Sequence, residues 1–186
     1  MPLPLWVPIL GPLLGRRRSF RELPQLAKRW GLSHGESDMR YRFGVLRGSL
    51  DGYRVEISPD VPSLTVHFNR SDHEFRMATM DLAARKRKDY QLGHARFTRV
   101  FEWMELSPQV AAALRGQTEV FERVLALWTY RVGSMFLASS LFTLSLRPPL
   151  HLHFLTVEQV EDLLPRMVET VKLIESVLYP EDPAGG

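Results

Sequence analysis

Six histidines, at positions 34, 67, 73, 94, 151 and 153, are the residues most able to do chemistry in this chain. His151 and His153 alternate along a strand and so share one face, from which they could chelate a metal with His67 or His73. No H-E-x-x-H or comparable spacing supports this, and polar strand-edge residues are the plainer reading. Carboxylates are no sharper. Asp51 and Asp60 belong to turns, and Glu102 and Glu105 lie among aromatics on or near a strand. A Glu pressed into an apolar pocket can serve as a general acid, but such a residue more often marks the wet face of a strand. Ser139-Ser140 lacks the G-x-S-x-G elbow. Gly44, Gly48 and Gly52 are not followed by a helix, so they form neither a dinucleotide fingerprint nor a P-loop; within a strand, glycine marks a bulge or a close backbone approach. There is no cysteine, which removes thiolate metal sites, disulfides and thiol nucleophiles. No catalytic residue, metal ligand or cofactor is therefore nominated.

Two surfaces read as contact sites instead. The run Arg85-Lys86-Arg87-Lys88 is suited to an anion. The strand aromatics sit at core-type alternation rather than interleaved with basic residues, which favours a solvated loop over nucleic-acid binding. The N-terminus is the stronger anomaly. Residues 1–15 carry no charged side chain, and Arg16, Arg17 and Arg18 follow. The stretch is shorter than the ~20 apolar residues a spanning helix needs, and four prolines interrupt it. Its charge follows the apolar run, whereas a secretory signal places it before. Leu3, Leu5, Trp6, Val7, Ile9, Leu10, Leu13 and Leu14 each gain about 1.5–3 kcal/mol on full burial. Either the segment covers the domain's own core, or it docks on a protein partner or an anionic membrane surface while the arginines stay wet. Charge asymmetry suits oriented contact: residues 1–50 hold nine basic against three acidic side chains, and residues 151–186 hold two against seven.

The elements that must position these residues are legible in part. A short helix is expected within 19–31, starting at Leu23 or Pro24 and stopping at Gly31. Phe43–Leu50 and Tyr53–Ser58 flank Asp51-Gly52, a strong hairpin signal. Leu64, Val66 and Phe68 alternate with polar residues, and Phe75–Thr79 follows, which predicts a four-stranded antiparallel meander. Phe97–Leu106 reads as a fifth strand. Ser107-Pro108 caps a helix that ends at Gly116, and Thr118–Tyr130 forms another. Ser134–Arg147 reads as two strands with a turn near Ala138–Ser140. Thr156 and Gln159 form a capping box for a long helix, which Pro165 should kink or split and Pro180 ends.

Strands grouped early and helices later predict an α+β fold, an antiparallel meander sheet packed against C-terminal helices. The expected organisation is a segment 1–18, one domain over 19–180 and a disordered tail over 181–186. The glycines Gly44, Gly48 and Gly52 with Leu50 and Val55, then Leu64-Thr65-Val66, then Gly93, Phe97 and Phe101, carry a resemblance. The chain resembles uncharacterised bacterial membrane-tethered domains over about residues 26–178. Those domains often place an aspartate after the first phenylalanine, where Thr98 stands here. The resemblance implies a bacterial, membrane-adjacent setting and brings no catalytic residues. The expected function is a non-enzymatic interaction or scaffold domain in a protein assembly or at a membrane surface; the expected location is cytoplasmic, with the inner face of a membrane as an option. The alternatives are a nucleic-acid-associated basic protein and, third, an enzyme or ligand-binding domain without a recognisable motif. The sequence leaves the oligomeric state open.

Overall fold

The computed structural model describes residues 22–34, 44–59, 61–79, 92–128, 132–147 and 155–180. The chain is helical over 22–29 (α1) and continues with β1 (Ser33–His34), β2 (Leu46–Leu50), β3 (Tyr53–Ser58), β4 (Ser63–His67) and β5 (Phe75–Thr79). After α2 (Ala95–Thr98) come β6 (Phe101–Leu106), α3 (Pro108–Leu114), α4 (Thr118–Leu127), β7 (Val132–Ala138), β8 (Leu141–Leu146) and α5 (Val157–Leu178). The described strands form one antiparallel sheet in the order β1-β2-β3-β4-β8-β7-β5-β6. The α+β class and the packing of an antiparallel sheet on the C-terminal helix are as expected.

Local signals became local structure. Asp51 (φ 51°) and Gly52 (φ 83°) both adopt positive φ, the geometry of a type I′ turn, which fixes the register Leu50↔Tyr53, Arg47↔Glu56. Gly48 sits at a close approach: a Cβ there would lie 2.5 Å from Leu32 Cδ2 and 3.1 Å from Leu32 Cα, so the neighbouring chain would have to shift. Ser107 accepts a hydrogen bond from Val110 N, and the Thr156/Gln159 capping box is complete.

Three expectations differ. Phe75–Thr79 does not pair with β4. The β7–β8 hairpin lies between them, and its Ser139–Ser140 tip is clamped there: Phe68 N donates to Ser140 O, and Ser139 N donates to Phe75 O, each at 3.1 Å. Residues 69–74 pass around that tip, and a loop of this length can reach the ~14 Å across three strand spacings. Phe97–Leu106 is a helical turn followed by a strand, because His94 accepts a hydrogen bond from Phe97 N and so caps α2. Finally, α5 is not split at Pro165. Leu163, Leu164, Met167 and Val168, on both sides of it, are at most 2% exposed and hold the helix in line.

One face of the sheet meets the helices. Val55, Ile57, Leu64, Val66 and Phe68 share a core cluster with Val160, Leu164, Val171 and Ile174 of α5, and with residues of α1 to α4. Phe97, Phe101, Trp103 and Phe121 form an aromatic knot within it, centroids 4.7–6.2 Å apart. Val66 is completely buried, so Val66→Ala should lower the unfolding free energy by about 1–3 kcal/mol in a denaturant titration. An unchanged midpoint would place Val66 outside the core.

Among the described residues, both edge strands carry features that discourage strand addition. β1 has two residues. On β6 the pairing shifts register opposite Arg76/Met77, and the strand carries Glu102 and Glu105.

Candidate functional site

The residues nominated from sequence for partner or membrane contact, Leu3 to Arg18, lie outside the described residues, as do Arg85–Lys88, His151 and His153. His67 and His73 are described. His67 Nε2 lies 3.5 Å from Glu56 Oε1 on the sheet, whereas His73 stacks on Tyr179 at 4.8 Å and reaches Leu178 O. Among the described residues no group of three or more His, Asp or Glu is placed to hold a metal ion.

Three polar constellations sequence reasoning did not single out are more instructive. The first is His94 with Glu122. His94 Nδ1 accepts from Phe97 N at 3.2 Å, so that nitrogen carries no proton in the neutral ring, and Nε2 donates to Glu122 Oε1 at 3.1 Å. Both ring nitrogens are engaged, so this pair resembles a catalytic dyad but has no free base to offer.

The second is a clasp at the C-terminal end of α5. Glu175 Oε2 accepts from Tyr53 Oη at 2.6 Å, and Oε1 accepts from the backbone N–H groups of Asn69 (2.6 Å) and Arg70 (3.0 Å). Tyr179 Oη accepts from Asp72 N, and Arg70 lies over the Tyr179 ring. Burial first, then the hydrogen bond to Glu175 and the charge of that carboxylate, push the Tyr53 phenol up to about 12. An open cleft lined by Tyr53, Asn69, Arg70, Lys172, Ser176 and Tyr179 sits above it. The clasp pins the loop that goes around the β7–β8 tip to the helix behind the sheet.

The third lies on the sheet face away from the helices. Glu56 Oε1 receives Arg54 Nη2 at 2.7 Å and Arg47 Nε at 3.3 Å, with His67 Nε2 beside them. Partial burial raises the Glu56 carboxyl. The Arg54 hydrogen bond and the charges of Arg47 and His67 outweigh that and hold it below the usual carboxylate range.

The fold is thus an antiparallel sheet with the β7–β8 hairpin inserted between β4 and β5, packed on the helices. It is similar to that of the mycobacterial trehalose monomycolate transport factor A, TtfA, at TM-score 0.50 and 14% identity, covering 91% of this chain and 98% of that one. No protein-family model and no curated protein sequence matches the chain. The likeness to TtfA is one of fold. No helix among the described residues is long and apolar enough to cross a membrane; α5 has the length but carries seven charged side chains. The cavity lined by Phe75, Phe97, Trp103 and Phe121 has a volume of about 10 Å³, which is room for about one water and for no larger ligand.

Proposed function

We propose that this chain is a non-enzymatic interaction module of a membrane-associated transport assembly, and that its N-terminal segment is the contact. One observation carries the reading: in the two constellations most like active sites, both ring nitrogens of His94 and both carboxylate oxygens of Glu175 are engaged in hydrogen bonds that hold the fold. The setting is supported by the fold likeness to a protein named as a transport factor. The blunted edges disfavour partner binding by strand addition, which leaves an appended segment as the natural contact.

In this reading Leu3, Leu5, Trp6, Val7, Ile9, Leu10, Leu13 and Leu14 enter an apolar groove of the partner or the bilayer interface. Arg16, Arg17 and Arg18 then meet anionic groups, at about 1 kcal/mol each near a lipid surface. Deleting residues 1–15 tests this. The melting midpoint of the remaining chain should stay within a few degrees, while sedimentation with anionic vesicles, or recovery of a native partner, is lost. A collapse in stability with unchanged association would overturn the proposal and make those side chains part of the protein's own core.

A further inference from the structure

The outer face of the β2–β3 hairpin holds more hydrogen-bond donors than its own acceptors use. The two-residue turn sets Arg47 opposite Glu56 and Ser49 opposite Arg54, so both arginines and the serine rise from one face beside His67 of β4. Arg54, Arg47 and His67 all approach a single oxygen, Glu56 Oε1, at 2.7, 3.3 and 3.5 Å. Each guanidinium has five N–H donors, and one carboxylate oxygen engages only a small part of them. The side chains of Arg47 and Arg54 are 47% and 63% exposed, so the remaining donors face solvent. Two guanidiniums around one carboxylate also leave a net positive charge. Glu56 meanwhile anchors both side chains, which lowers the ordering cost of binding a second anion.

We propose that Arg47 and Arg54, spaced by Glu56 and flanked by Ser49, form a site for a phosphate group, as monoester or diester. A tetrahedral oxyanion has enough acceptors to take a donor fork from each arginine at once, and the Ser49 hydroxyl besides. The phosphate comes from a lipid headgroup or from a small soluble ligand. In the lipid case the site rests on the membrane reading above and gives the domain a second point of attachment on the hairpin.

The test uses the full chain. Inorganic phosphate, added at constant ionic strength in place of chloride, should move the Nε–H resonances of Arg47 and Arg54 saturably. Binding to phosphatidylcholine vesicles containing phosphatidylglycerol should weaken about thirtyfold in the Arg47→Gln/Arg54→Gln variant, since each basic residue near an anionic surface contributes roughly fivefold. Arg99→Gln/Arg115→Gln, which removes the same charge from exposed positions beyond α2 and α3, should change it little. A saturable phosphate response without any vesicle dependence on Arg47 and Arg54 assigns the site to a soluble ligand and supports it. No saturable response in the unmodified chain overturns it, whereas a saturable response beside equal weakening by the two double variants again assigns the site to the soluble ligand. The outcomes separate from the docking reading: deletion of residues 1–15 should leave the phosphate response intact. A deletion that keeps vesicle binding, beside a hairpin variant that loses it, would sink the docking role of the segment alone.

Discussion

Glu175→Ala should lower the unfolding free energy by about 2–4 kcal/mol, because it leaves three neutral donors without their charged acceptor. The substitution strands Tyr53 Oη and the N–H groups of Asn69 and Arg70 near the end of α5. Glu175 is 9% exposed, whereas Asn69 and Arg70 are exposed and border the open cleft, so water replaces part of those bonds. Tyr53→Phe removes one donor and leaves the two backbone bonds, so its cost should be nearer 1–2 kcal/mol. Denaturant unfolding of the two variants checks the order, and equal costs would mean that the backbone bonds contribute nothing. The clasp also has a pH signature. The folded phenol titrates near 12, above its ordinary value of 10.0. Its contribution is therefore whole below pH 10 and is lost as pH rises through 12. In Tyr53→Phe this alkaline loss should be absent.

Pro165→Ala should stabilise the protein by about 2 kcal/mol. An interior proline deletes the hydrogen bond to the carbonyl four residues back, here Glu161, and crowds that carbonyl, at about 3 kcal/mol. Alanine restores both terms and gives back less than 1 kcal/mol through a freer unfolded chain. Pro165 is the ninth residue of a 22-residue helix, far past the first turn where proline is tolerated. Thermal unfolding of the variant is the measurement. An unchanged or lowered midpoint would show that the carbonyl of Glu161 is already satisfied.

What could be read before the fold was known follows from range. The Asp51-Gly52 turn, the Ser107 and Thr156 caps and the alternation of Leu64, Val66 and Phe68 depend on residues a few positions apart, so the sequence announces them. The neighbours of β4 and β5 depend on the Ser139–Ser140 tip, far along the chain from either, and nothing local distinguishes a meander from an insertion. Phe97–Leu106 misled because Phe97 and Phe101 suit a strand by type while their spacing of four also fits a helical turn. The Glu175 clasp had a signal that went unused: Val171, Glu175 and Leu178 follow the i, i+4, i+7 spacing of a buried stripe. The arginine pair could have been placed outright, because a two-residue turn at Asp51-Gly52 dictates that Arg47 faces Glu56.

The position of β7–β8 bears on how the chain leaves the ribosome. The inner edge of β5 stays unpaired until the chain has been made through Ala138, and that of β4 until Leu146. At 5–20 residues per second the nascent protein spends roughly 3–14 s after β5 with at least one of those edges open. Its N-terminal half therefore has no complete sheet of its own to fold into, and a chain stalled or truncated before Leu146 should be a client for holdase chaperones rather than a stable fragment.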